Sequence, residues 1–161
     1  ADYPDNSEGD SPYWHLARAY RLLDDQDKER EALSNVMKRT SDASQAVYRL
    51  LAMEAAAENW EEVLYWSDRV LAVNPYIKRA QRSRASSLEE LGRPGEAIEN
   101  YRRILAMGAE NPSQVHYRLA VLLRESDAVT AKRHVLDALI GSPRYREAHK
   151  LLLEMANQPS S

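Results

Sequence analysis

SQAVYRLLAMEAAAENWEEVLYWSDRVLAVNPYI, residues 44–77, decides the fold. Its first half carries Val47, Leu50 and Leu51. Its second half follows Trp60 with Val63, then Ser67 four residues on, then Val70 three further, and Pro75 closes it. A small residue followed by apolar ones at +4 and +3 makes one buried helical stripe. The small residue lets two helices approach closely, and the proline stops one helix and opens the next.

The pattern repeats outward in both directions. Tyr13-x-x-Leu16-Ala17-x-x-Tyr20 stands 34 residues before Val47-x-x-Leu50-Leu51. Leu33-x-x-Val36 falls in the frame of the second-half stripe. Downstream, Ala97, Tyr101 and Ile104 follow Gly92, and Ala131, Val135, Ala138 and Pro143 follow Asp127. A period of that length means a stack of helix pairs rather than one globular core. Helices are predicted at 12–23, 26–39, 43–57, 60–72, 77–91, 94–107, 113–125 and 127–140. Ser11-Pro12 and Arg93-Pro94-Gly95-Glu96 are readable helix starts. A ninth helix, 144–157, carries Tyr145, Ala148, Leu152 and Met155 and is expected to cap the last pair. Residues 1–10, ADYPDNSEGD, are acidic and turn-rich and read as disordered, and 158–161 as a frayed end.

These repeats resemble the tetratricopeptide repeat, whose unit is two antiparallel helices. The copies are 10–43, 44–77, 78–111 and 113–145, so the resemblance covers most of the solenoid expected over 11–157. It implies an all-α, right-handed α-solenoid. Three departures stand out. Glu29 occupies a position where the family has a small residue, and Arg84 one where a buried Leu is usual. The fourth copy is one residue short near Ser126-Asp127. Arg84 is expected to snorkel outward or to strain its helix.

Composition narrows the function. The chain has 161 residues, 22 Lys and Arg against 25 Asp and Glu, and a net charge of −3, which argues against bulk electrostatic binding of nucleic acid. An RNA reader is therefore disfavoured. No apolar run approaches the length of a membrane span. There is no Cys, hence no disulfide, zinc thiolate or thiol nucleophile. The compartment is left open. The chain opens at Ala1 rather than Met, which reads as a piece of a larger polypeptide. No phosphate loop or nucleophile elbow is present, and Glu61-Glu62 and Glu89-Glu90 read as solvated faces. His15, His116, His134 and His149 lie in four different predicted helices, so no metal site is expected. No cofactor and no catalysis are expected.

The family resemblance implies that first helices line a concave face. The partner-binding residues it points to are Trp14, Arg18 and Arg21, then Tyr48 and Arg49, then Arg79 and Arg82, then Tyr117, Arg118 and Arg124. His15, Leu22, Ala52, Ala55, Ala56, Ser83, Ser86, Glu89, Glu90, Val121 and Glu125 complete the set. A basic, aromatic-lined groove is expected, suited to an extended peptide with acidic residues. Groove side chains are expected to lie outside the interhelical stripe, so that replacing Arg49 and Arg118 spares the fold. Some family members clamp a chaperone's C-terminal carboxylate with Lys and Asn at set positions. Trp14, Arg18, Arg49, Arg79 and Ser83 do not match that set, nor do Tyr48, Ala52, Ser83, Gln114 and Arg118. The expected role is a protein–protein interaction module, with self-association open. The alternative is a non-catalytic structural or oligomerisation domain of a larger protein. The tail HYRLA … AKRHVL … SPRYREAHKLLLEM faintly resembles repeats that follow peptidase-like domains in bacteria. Trp60 is expected in the core, and one of Tyr65 and Trp66 is expected to be exposed.

Overall fold

The structure is a computed structural model that describes Gly9, residues 11–39 and residues 44–157. The segments read as disordered and frayed, 1–10 and 158–161, lie outside the described residues except for Gly9. Among the described residues the chain is all-α: α1 Pro12–Leu22, α2 Gln26–Arg39, α3 Ser44–Ala56, α4 Trp60–Val73, α5 Lys78–Glu90, α6 Pro94–Ala106, α7 Pro112–Leu123, α8 Ala128–Gly141 and α9 Arg146–Asn157. The boundaries fall within about two residues of those the repeat predicts, as expected where hydrophobic period and Pro punctuation agree. Pro12, Pro94 and Pro112 each open a helix at a position whose N–H has no intrahelical partner to lose. Asn111 and Asp127 cap α7 and α8 by accepting from the backbone N–H of Gln114 and Thr130, at 3.2 and 3.0 Å.

The turns inside the first three repeats share one conformation. Asp24, Glu58 and Gly92 have φ of 55°, 57° and 67°. The N–H after each reaches back to close the preceding helix: Asp25 to Tyr20, Asn59 to Glu54 and Arg93 to Leu88, at 3.0, 2.9 and 2.8 Å. This is a left-handed C-terminal closure, which favours glycine. Only the third copy has one. The fourth turn, in the copy one residue short, closes instead through Asp127 N–H to Leu123 O at 2.7 Å.

The chain divides into two compact units, 1–87 and 88–161, with the division inside α5. In the first unit Leu33, Val36, Leu50, Val63, Ser67, Val70 and Ala80 are buried, so the stripe read from sequence is the core. Each large apolar side chain taken from water there contributes about 1.5–3 kcal/mol. Trp66 is buried and Tyr65 is 51% exposed, with Trp60 packed half-buried on the core. Leu16, aligned with the fully buried Leu50, is 44% exposed, and Ala17 alone on α1 is buried. Arg84 does snorkel: it lies half-buried, with its Nε 2.5 Å from Asp68 Oδ1 on α4.

In the second unit Ala97, Tyr101 and Ile104 of α6, Leu119 and Ala120 of α7, and Ala131, Val135 and Ala138 of α8 are buried. Helix α9 lays Ala148 and Leu151 against Ala120, Val135 and Ala138, flanked by Tyr117, Val121, Leu139, Leu152 and Met155.

Candidate functional site

Three acidic side chains, Glu29 and Glu54 buried and Glu89 half-buried rather than on a solvated face, are each held by arginine. Glu29 on α2 is 2% exposed, and Arg49 on α3 donates to both its oxygens at 2.7 Å. One residue along, Arg30 Nε lies 2.8 Å from Oε1 of Glu54, also 2% exposed on α3. Asn59 Nδ2 donates to the other Glu54 oxygen at 2.8 Å. Acid and base are exchanged between α2 and α3, so the two helices are cross-tied in both directions. Its hydrogen bonds to Glu29 hold the Arg49 guanidinium above its ordinary pKa. In the second unit Glu89 accepts from Arg118 Nε at 3.1 Å, lies 3.0 Å from its Nη2, and takes a short hydrogen bond from the Tyr101 hydroxyl. Burial first, and then Glu89, push the Tyr101 phenol up to about 12.

Arg49 and Arg118 stand at the same position of their repeats, and both are paired with carboxylates, Glu29 buried and Glu89 half-buried, while their own side chains stay 36 and 37% exposed. Their removal is expected to strand a carboxylate, against the expectation that replacing them spares the fold. Arg124 is also paired, 3.2 Å from exposed Glu125. Tyr117 stacks on Tyr145, with ring centroids 5.0 Å apart, at the approach to α9.

In the first unit Arg18, Arg21, Arg79 and Arg82 are exposed on first helices α1 and α5. Trp14 packs half-buried on the core. Arg79 places its guanidinium 4.8 Å from the centroid of the Tyr48 ring. Tyr48, Ala52 and Ala55 fall on one face of α3, so the ring stands beside a row of methyl groups.

One cluster was missed by the sequence reading. His116 on α7 and His134 on α8 meet with Nδ1 atoms 2.9 Å apart, and Asp137 Oδ2 lies 3.8 and 4.0 Å from them. Different helices did not mean different places. The antiparallel pairing of α7 with α8 brings residues 18 apart into contact. Only the spacing of His134 and Asp137, one helical turn, was visible in sequence. Burial first, and then His116, hold the His134 imidazole below its ordinary pKa, while Asp137 acts the other way.

No family model and no curated protein sequence matches this chain. Solved structures do. YrrB, a TPR protein with an unusual peptide-binding site, superposes with a TM-score of 0.70 at 14% identity, over 86% of this chain and 71% of that one. A tetratricopeptide repeat protein from Parabacteroides merdae gives 0.74 at 18% identity, over 89% of this chain and 60% of that one. MamA AMB-1 gives 0.60 at 22% identity, over 92% and 78%. The chain has the tetratricopeptide-repeat fold.

Proposed function

We propose that this chain is a non-catalytic protein–protein interaction module, and that the first-helix face of its first unit takes an extended peptide bearing acidic residues. The observation that carries the reading is Arg79 stacked on Tyr48. Stacking orients a guanidinium while leaving its N–H groups free to form a fork with a carboxylate. Ala52 and Ala56 are exposed beyond the ring and leave room for a ligand backbone. Arg18 and Arg21 add exposed positive charge to α1 of this unit. YrrB, a TPR protein of the same fold, has an unusual peptide-binding site, which supports a peptide as the ligand here.

The test is titration of fluorescent acidic peptides against wild type, Arg79→Ala and Tyr48→Ala. Either change is expected to weaken binding about tenfold, a loss of about 1.4 kcal/mol. Added salt is expected to weaken the wild-type complex further. Equal affinity for neutral and acidic peptides overturns the reading.

A second reading, a structural module that packs on a neighbouring domain or a second copy, is favoured by α1. Leu16 and Leu22 there, and Leu23 just past its end, are 44, 89 and 74% exposed. Sedimentation of wild type against Leu16→Ser/Leu22→Ser separates the two readings. A wild-type dimer that the double change dissolves supports the structural role.

A further inference from the structure

We propose that His116, His134 and Asp137 form a transition-metal site on the α7–α8 pair, taking Zn²⁺ or a neighbouring divalent ion of the first transition row. Imidazole and carboxylate are the ligands such ions prefer, and two His with one carboxylate is a recurring catalytic or regulatory donor set. The three donor atoms form a triangle with sides of 2.9, 3.8 and 4.0 Å. Tetrahedral bonds of about 2.0–2.2 Å place donor atoms roughly 3.3 Å apart. The two Nδ1 atoms therefore need to part by about 0.4 Å and the carboxylate to close by about 0.6 Å. Both are side-chain torsional adjustments that leave the helices in place.

The two ring nitrogens give the site its driving force. At 2.9 Å one Nδ1 holds the proton and the other accepts it. An ion between them is bound by both lone pairs once the donor ring carries its proton on Nε2, as the acceptor ring already does. The Asp137 carboxylate supplies the negative charge beside both rings, and the charges of Arg133 and Arg102 also reach His134. Side-chain exposures of 21, 12 and 40% for His116, His134 and Asp137 leave an entry path. Three protein donors leave a fourth position for water or for a donor from a bound protein. The site lies on α7 and α8 and shares no residue with the Tyr48–Arg79 surface, so it stands whether or not that surface binds peptide.

The experiment is calorimetric titration of the full, chelator-treated chain with Zn²⁺ alone, with Co²⁺ absorption reporting coordination geometry. One ion per chain and a four- or five-coordinate Co²⁺ spectrum are expected. His134→Ala and Asp137→Asn are each expected to weaken Zn²⁺ binding tenfold or more, while His15→Ala and His149→Ala leave it unchanged. Asp137→Asn preserves shape at a partly exposed position, so it reports on binding if His134→Ala disturbs packing. Imidazole ¹⁵N shifts at Nδ1 of both rings identify the donor atoms. Absence of stoichiometric uptake overturns the proposal, as does uptake that survives both changes.

Discussion

Glu29 and Arg49 form a bidentate ion pair between α2 and α3, with both oxygens of a buried carboxylate engaged at 2.7 Å. The pair occupies the place where the repeat otherwise keeps a small side chain. A carboxylate there is tolerated because the facing helix supplies a planar fork that matches it. The position that sequence marked as an irregularity and the position it marked as a ligand contact are two ends of one interaction.

The two ends are unequal under mutation. Arg49→Ala leaves Glu29 buried and unpaired, and about 3 kcal/mol of stability is expected to go, because breaking a buried pair costs about 3–5 kcal/mol and Arg49 is partly exposed. Glu29→Ala restores the small residue and lets Arg49 turn to solvent, at a cost expected below about 1 kcal/mol. Adding Glu29→Ala to Arg49→Ala is expected to recover most of the loss. Urea denaturation of the three variants checks this, and a double mutant less stable than Arg49→Ala refutes it.

Tyr101 gives a prediction in pH. Its phenol is pushed up to about 12, chiefly by burial and then by Glu89, while an unfolded tyrosine ionises near 10. The unfolded state therefore releases this proton first. Stability from Tyr101 is whole below about pH 10 and is lost between about 10 and 12, on the order of 2–3 kcal/mol in all. Tyr101→Phe is expected to flatten the alkaline fall in thermal midpoint. An unchanged slope in the variant counts against the assignment.

The left-handed turn at Glu58 predicts a stabilising change. Glu58 has φ of 57°, in the place where the third repeat has Gly92 at 67°. A side chain there costs about 1 kcal/mol that glycine avoids, less the entropy glycine gains when unfolded. Glu58→Gly is expected to raise stability by up to about 1 kcal/mol, read from the denaturation midpoint. A clear fall would mean that the entropy of the unfolded chain outweighs the strain.

What was legible in sequence was whatever repeats. Val63, Ser67 and Val70, with their counterparts at 97, 101 and 104 and at 131, 135 and 138, marked the buried stripe. Such positions have one partner surface and one periodicity. The partnerships of Glu29, Glu54 and Glu89 were not legible. A buried acid is specified by a base on the facing helix, 20 residues away for Glu29 and Arg49 and 29 for Glu89 and Arg118. No periodicity encodes that match. The same holds for His116 and His134. Reading arginines as surface charge left out that Arg49 and Arg118 are paired with Glu29 and Glu89. Leu16 shows the converse. The motif was present, but the side chain is 44% exposed, because the motif marks a helix face and burial needs a neighbour on that face.

Helix α9 supplies the last prediction. It covers α7 and α8 through Ala148 and Leu151, both buried, while Leu153 on its far side is 66% exposed. A helical repeat ends by presenting one face inward and a more polar face outward, and α9 does so imperfectly. Leu151→Ala is expected to cost about 2–4 kcal/mol, since the side chain is enclosed and the cavity cannot fully collapse. Deleting residues 144–161 removes that cover from Ala120, Val135, Ala138, Tyr117, Val121 and Leu139. The truncated chain is expected to aggregate or dimerise on size-exclusion chromatography, because the uncovered surface is apolar and continuous. Leu153→Lys, which alters only the exposed side, is expected to leave the monomer and its stability intact. A truncation as stable and as monomeric as the full chain would show that α7 and α8 hold their core without α9.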